Sequence, residues 1–397
     1  MVGTYTDLLR RPGALQFVAA GFVGRLPISM ITLGVVLLVT ASGGNYALAG
    51  GMSASFALAA AFVGPLGARW IDRRGQDRVV PILATAEVAF LLLFTWAVWQ
   101  SAPIPLQFAT LVGAGAVAPN VGSLVRARWA ASIREERSLR SAFALEAVVD
   151  ELVFIVGPPL VTIVALSVSE VAGLILCGIL LATGAWWLAT QRATQPPVRF
   201  PEAGGSHPAM LGAGLVVVTA LMLLLGGVFG AFEVTTVAFT KTLGHEELTG
   251  LVLALYAVGS LISGLVYGAR PHTRSVARQL LIATAVLALV TAPLPFVGSL
   301  PLLMAAAFLS GLSVSPVLIL AIAAVERLVP AARLTEALTV NTSGLAVGLA
   351  VGSPLSGALI DRFGASSGYL VMAGCGAATV ILAGATHGIL ARQLASP

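Results

Sequence analysis

Only 10% of the 397 residues are charged while 58% are hydrophobic, and the mean hydropathy of +0.97 excludes a water-soluble domain, in which roughly a quarter of residues carry charge. The net charge of +5 does not point to a nucleic-acid partner, because the arginines cluster at the ends of long apolar stretches, as they do in proteins that cross a bilayer repeatedly.

A spanning helix needs about 20 apolar residues. Twelve stretches qualify: 14–40, 46–68, 79–99, 103–125, 139–166, 169–190, 209–240, 248–269, 276–297, 300–325, 335–360 and 367–390. The predicted fold is an all-α membrane protein of two six-helix bundles, 1–190 and 209–397, joined by the Pro- and Gly-rich polar segment 191–208. With the N-terminus placed in the cytoplasm, every Lys and Arg except Arg25, Lys241 and Arg362 falls at a cytoplasmic end or loop. This asymmetry predicts a multi-pass protein of the cell (inner) membrane with both termini inside. Span 1 follows Arg10 and Arg11 but is too long for a signal peptide, and no small-residue cleavage site ends it.

Between spans 2 and 3 lies GPLGARWIDRRGQDRVV, Gly64 to Val80. Ala68, Asp72, Arg73 and Gly75 are similar to the G-x-x-x-D-R-x-G motif of the major facilitator superfamily, and the resemblance extends over all twelve spans, the central linker and the charge pattern. It implies a transporter in which Asp72 and Arg73 latch a cytoplasmic gate and Gly75 permits the tight turn. Ala68 replaces the first glycine, and Gln76 and Asp77 stand where the family usually has basic residues. A plain basic loop is the alternative reading. Span 4 has Ala109 where the family's proton-coupling arginine would precede Gly113, which shifts attention to Arg25 in span 1.

Span 5, RSAFALEAVVDELVFIVGPPL, carries Glu146, Asp150 and Glu151. A carboxylate at a helix centre costs roughly 2.5–3.5 kcal/mol on insertion scales, so these acids must face protein or a water-filled cavity. Glu146 and Asp150 share a helix face, and Glu151 lies about 100° further round. Arg25 and Asp150 are each about 16 Å from the cytoplasmic start of their spans, with Glu146 about one turn shallower. Arg25 is therefore expected to pair with span 5. Either the pair is a permanent structural lock, or one carboxylate exchanges its arginine for a proton. The glycine and prolines Gly157, Pro158 and Pro159 resemble the G-P element of the family's antiporters; a simple kink is the bland reading.

The frame returns in span 11, where Ala142, Gly157, Pro159 and Leu160 reappear as Ala337, Gly352, Pro354 and Leu355. Glu146, Asp150 and Glu151 become Asn341, Leu345 and Ala346, so only the first half keeps the charge. Gly348, Gly352, Pro354 and Gly357 form a small-residue face suited to close helix packing. Span 11 ends in GALIDRFG, a second copy of the gate motif, which the topology places on the outer side. The second-half counterpart of the gate, GARPHTRS, has His272 at the aspartate position. In span 7, Glu233 lies about 12 Å inside the outer end. The family's span 7 lines the central cavity, which implies a substrate or proton role for Glu233, with Asn341 in the same cavity. A glutamate reaching the outer interface is the alternative.

The single lysine, Lys241, lacks the glycines of a phosphate-binding loop. The four histidines are scattered, and Cys177 and Cys375 lie in different halves as unpaired thiols, so neither a metal nor a cofactor is expected. The resulting expectation is not an enzyme but a monomeric secondary transporter with alternating access. Its partners are a small-molecule substrate, protons or another coupling ion, and the lipid bilayer. Proton-coupled export of a small organic or amphipathic compound is the leading reading. Uptake of a sugar or other metabolite is the second, and a channel or intramembrane enzyme stands behind both.

Overall fold

The computed structural model describes residues 2–198, 212–269, 274–330 and 333–395; Arg199, His272 and most of the central linker lie outside them. All the regular structure among these residues is helical. The first half comprises α1 (Val2–Leu9), α2 (Ala14–Ala41), α3 (Tyr46–Arg74), α4 (Gln76–Trp99), α5 (Ile104–Val117), α6 (Val121–Ser132), α7 (Glu136–Ser167) and α8 (Glu170–Thr190). The second comprises α9 (Ala213–Thr242), α10 (Thr249–Ala269), α11 (Val276–Thr291), α12 (Leu300–Leu328), α13 (Leu334–Phe363), α14 (Tyr369–Ala385) and α15 (His387–Ala395). Twelve of the resulting stretches are long and apolar enough to span a bilayer, with α5 and α6 making one of them. Helices dominate because no water is present in hydrocarbon to satisfy a backbone that leaves its own N–H and C=O groups unpaired.

The helices overrun the apolar segments from which they were predicted. Helix α3 continues through the basic run to Arg74, and α4 starts at Gln76. What reads as a loop is one residue, Gly75, at φ +93°. The backbone there favours glycine, and a β-carbon would also push the Asp77 carboxylate aside, at 2.8 Å from its Oδ1. Span 4, by contrast, is not continuous. Pro119 offers no N–H and pushes Ala118 out of the helical region, to φ −62°, ψ 117°. Asn120 then restarts the helix, its side chain accepting from Ser123 N at 3.0 Å.

The chain divides into two compact units, Met1–Leu38 with Leu58–Ser206, and Val39–Ala57 with His207–Pro397. In the first, Phe17, Val80, Val125, Trp129 and Leu188 belong to one buried cluster, with Phe17 and Trp129 edge to face at 4.7 Å. In the second, Phe232 stacks on Tyr256 at 4.5 Å within a core that also holds Leu221, Leu287, Leu303 and Tyr369. Helices α9 and α13 run side by side at glycine distance: a β-carbon at Gly348 would overlap the carbonyl of Leu223, and one at Gly352 the backbone of Gly227. This is the close approach expected from the small-residue face of span 11. Pro158 and Pro159 sit inside an unbroken α7, and Pro354 inside an unbroken α13. Large apolar side chains such as Leu289, Phe296 and Ile381 remain exposed, as a lipid-facing surface requires.

Candidate functional site: a buried ion network

In the first unit, α2, α6 and α7 bring together two arginines and two carboxylates. Arg25 on α2 donates through Nη1 to Asp150 Oδ1 at 2.8 Å and through Nη2 to Glu146 Oε2. Its Nε donates to the Gly21 carbonyl at 3.2 Å. The other Glu146 oxygen accepts from Trp129 Nε1 at 2.8 Å, and the other Asp150 oxygen accepts from Arg126 on α6. Two guanidinium groups thus face two carboxylates, and the local charge closes to zero.

Burial separates the two acids. The Glu146 side chain is 0% exposed and that of Arg25 4%, whereas Asp150 is 37% and Arg126 36% exposed. A buried ion pair offsets the desolvation of its charges only with good geometry and further hydrogen bonds. Glu146 meets that condition through Arg25 and the Trp129 indole. Asp150 sits at the open edge of the network, 37% exposed.

Of the predicted residues, Arg25, Glu146 and Asp150 meet directly. Glu151 is partly buried on α7. Glu87 is buried on α4 and takes no part in the network. The sequence reading missed Arg126 and Trp129, having assigned Arg126 to a cytoplasmic end. The signal was present: Gly122, Arg126 and Trp129 recur at helical spacing, which places all three on the face turned toward α2 and α7. Gly157 also packs at this interface, where a β-carbon would overlap Ser29 Oγ. Ser29 in turn donates to the Val153 carbonyl at 2.8 Å.

Asp72 and Arg73, expected from the motif to form a gate, are exposed at the end of α3, and neither pairs with another described residue. Their neighbours Gln76 and Asp77, departures from the family motif, are the ones engaged. Arg128, 0% exposed, donates to Gln76 Oε1 at 2.8 Å, to the carbonyls of Gln191 and Leu188 at 2.8 Å and to Thr194 Oγ1 at 2.6 Å. Asp77 pairs with Arg192 at 3.3 Å. This ties the α3–α4 turn to the first residues of the linker.

In the second unit, Glu233 is partly buried on α9. Asn341 on α13 is fully buried, and neither its Oδ1 nor its Nδ2 has a partner among the described residues. The second motif copy is occupied differently from the first: Asp361 accepts from the backbone N–H groups of Tyr46 at 3.0 Å and Ala47 at 2.9 Å, capping the first turn of α3. Cys177 and Cys375 are both free.

Twelve apolar helices, an internally repeated frame and a charge network enclosed by spanning helices define a polytopic membrane carrier. The Major Facilitator Superfamily model matches residues 17–269 and 218–387, and the chain belongs to that family. It is accordingly a multi-pass secondary transporter and not an enzyme. Among solved structures, the chain is similar to the nucleoside transporter NupG, with 15% identity, a TM-score of 0.71 and coverage of 97% of this chain and 99% of that one. It is also similar to a POT family transporter in complex with a thioalcohol-conjugated peptide, with 12% identity, a TM-score of 0.74 and coverage of 97% of both chains. A human organic anion transporter matches at 16% identity and a TM-score of 0.64 over 94% of this chain and 100% of that one. At these identities the likeness establishes the fold. No curated protein matches the sequence.

Proposed function

We propose that the chain is a proton-coupled secondary transporter of a small organic or amphipathic compound, with Asp150 as the carboxylate that exchanges an arginine for a proton. The observation that carries this is the unequal burial of two acids one helical turn apart. Glu146 is sealed against Arg25 and Trp129, while Asp150 is held by Arg25 and Arg126 at the accessible edge. Glu146 and Arg25 then form the fixed frame, and Asp150 with Arg126 the movable part. The duplicated halves 1–190 and 209–397 supply the alternating access, and Glu233 and Asn341 the second-half side of the substrate path. Asp72, Arg73 and Gly75 form the gate at the basic ends of the spans, which face the cytoplasm of the cell membrane. The protein works as a monomer.

Two directions of transport have separate support. The Gly157–Pro158–Pro159 element at the α2–α7 contact favours export in exchange for protons. The double pairing of Asp150 favours uptake when the substrate is an anion, because a proton on Asp150 and an anion on Arg126 help one another. Flux driven by an imposed pH gradient, in everted and in right-side-out vesicles, decides between them. In both, Asp150→Asn is expected to abolish the effect of the gradient while leaving exchange at equilibrium. An Asp150→Asn protein that still follows the gradient would overturn the assignment.

A further inference from the structure

Arg25 and Arg126 are not equivalent cations. All three guanidinium nitrogens of Arg25 are occupied, by Gly21, Glu146 and Asp150, and the side chain is 4% exposed. Among the described residues Arg126 is held by one carboxylate, Asp150, and it is 36% exposed. We infer that Arg126 is a substrate-recognition group and that the transported compound carries an anionic group, a carboxylate or a phosphate. This rests on the proton exchange at Asp150 proposed above.

When Asp150 takes a proton, its charge no longer faces Arg126. A guanidinium that is two-thirds buried then needs another anion, since an unpaired charge in a low-dielectric site is costly. Glu146 cannot turn to fill the role, because Arg25 and the Trp129 indole hold its two oxygens. The other charged groups around Asp150 do not replace it either. Glu151 lies about 100° round α7 from Asp150, and Asp7 of α1 and Glu170 of α8, on the remaining helices packed against α7, are exposed.

Access to the cation is through its own exposed edge, 36% of the side chain. The backbone of α6 passes close beside it at Gly122, one turn earlier, where a β-carbon would crowd both arginines, 3.2 Å from Arg126 Nη1 and 3.4 Å from Arg25 Cδ. A cationic substrate fits the arrangement poorly. It would have to displace an arginine from Asp150 and leave that arginine unpaired beside it.

The consequence is positive coupling: a proton on Asp150 and an anion on Arg126 favour each other's binding, and the two travel together. The test measures thermal stability of the purified full chain in weakly acidic and weakly alkaline buffer. The probes are benzoate, succinate and phenyl phosphate, their neutral counterparts benzamide, succinamide and phenol, and the cation benzylamine. At least one acid is expected to stabilise the protein, more tightly in acid by about tenfold, a typical size for coupling between sites. Arg126→Gln should remove this response and Arg126→Lys restore part of it, while Asp150→Asn should make acid binding independent of pH. Which acid registers separates carboxylate from phosphate recognition. The inference is overturned if no acid registers, if benzylamine or the neutral compounds stabilise instead, or if acid binding survives Arg126→Gln. Acid binding that needs Arg126 but ignores pH supports the anion site and overturns the proton exchange at Asp150.

Discussion

Glu146 and Asp150 are one turn apart on α7, share Arg25, and yet differ in what their removal should do. Glu146→Gln leaves Arg25 without its innermost counter-charge, and loss of one partner of a buried pair costs roughly 3–5 kcal/mol. A marked fall in melting temperature is expected, with substrate affinity unchanged in the molecules that remain folded. Replacing both partners, Arg25→Met with Glu146→Leu, should recover much of the lost stability, since two apolar groups leave no buried charge. If the double variant is as unstable as the single one, the pair is not the structural frame. Asn341 poses the opposite problem, a buried carboxamide without a partner among the described residues. A polar group buried without hydrogen bonds costs roughly 1–3 kcal/mol, so Asn341→Leu should raise the melting temperature. A simultaneous loss of transport would mark Asn341 as a group kept for substrate rather than for folding.

Among the elements, the α3–α4 turn depends on Gly75 and on the buried Arg128 beneath it. Gly75 occupies φ +93°, ψ 150°, a region that side chains enter at a cost of order 1–3 kcal/mol. Gly75→Ala should therefore lower stability by about that much, as read by thermal or denaturant unfolding of purified protein. Arg128→Gln removes the donor that joins Gln76, Leu188, Gln191 and Thr194. Proteolysis within residues 191–198 should become faster than in the parent protein. An unchanged cleavage rate would mean the linker is held by other contacts.

For the whole molecule, orientation follows from where the arginines lie. A reporter fused after Arg199 is expected to be cytoplasmic; an outward reporter there would overturn the proposed topology. The two copies of the D-R-x-G motif also stand in different surroundings. Asp361 caps the start of α3 through Tyr46 and Ala47, while Asp72 is exposed. Loss of a helix cap costs about 1 kcal/mol, so Asp361→Ala should destabilise slightly. Asp72→Asn should leave the melting temperature unchanged but reduce transport if the gate reading holds.

Much of this architecture was legible in the residues themselves. Twelve spans followed from apolar length, because a bilayer imposes one helix length on every crossing. The pairing of Arg25 with span 5 followed from depth, since a charge inside hydrocarbon must find a partner at its own level. The glycine face of span 11 likewise announced a close contact. Tertiary structure alone decided that Asp150 is shared between two arginines and Glu146 is not. That division depends on the rotation of α6, which the break at Ala118–Asn120 sets, and a helix rotation cannot be read from hydropathy when arginine can serve equally at an interface or in a core. It also decided that Gln76 and Asp77, which depart from the family motif, are fastened while Asp72 is exposed. Their partners, Arg128 and Arg192, lie at least 50 residues away in the chain, and only folding places those charges beside the turn.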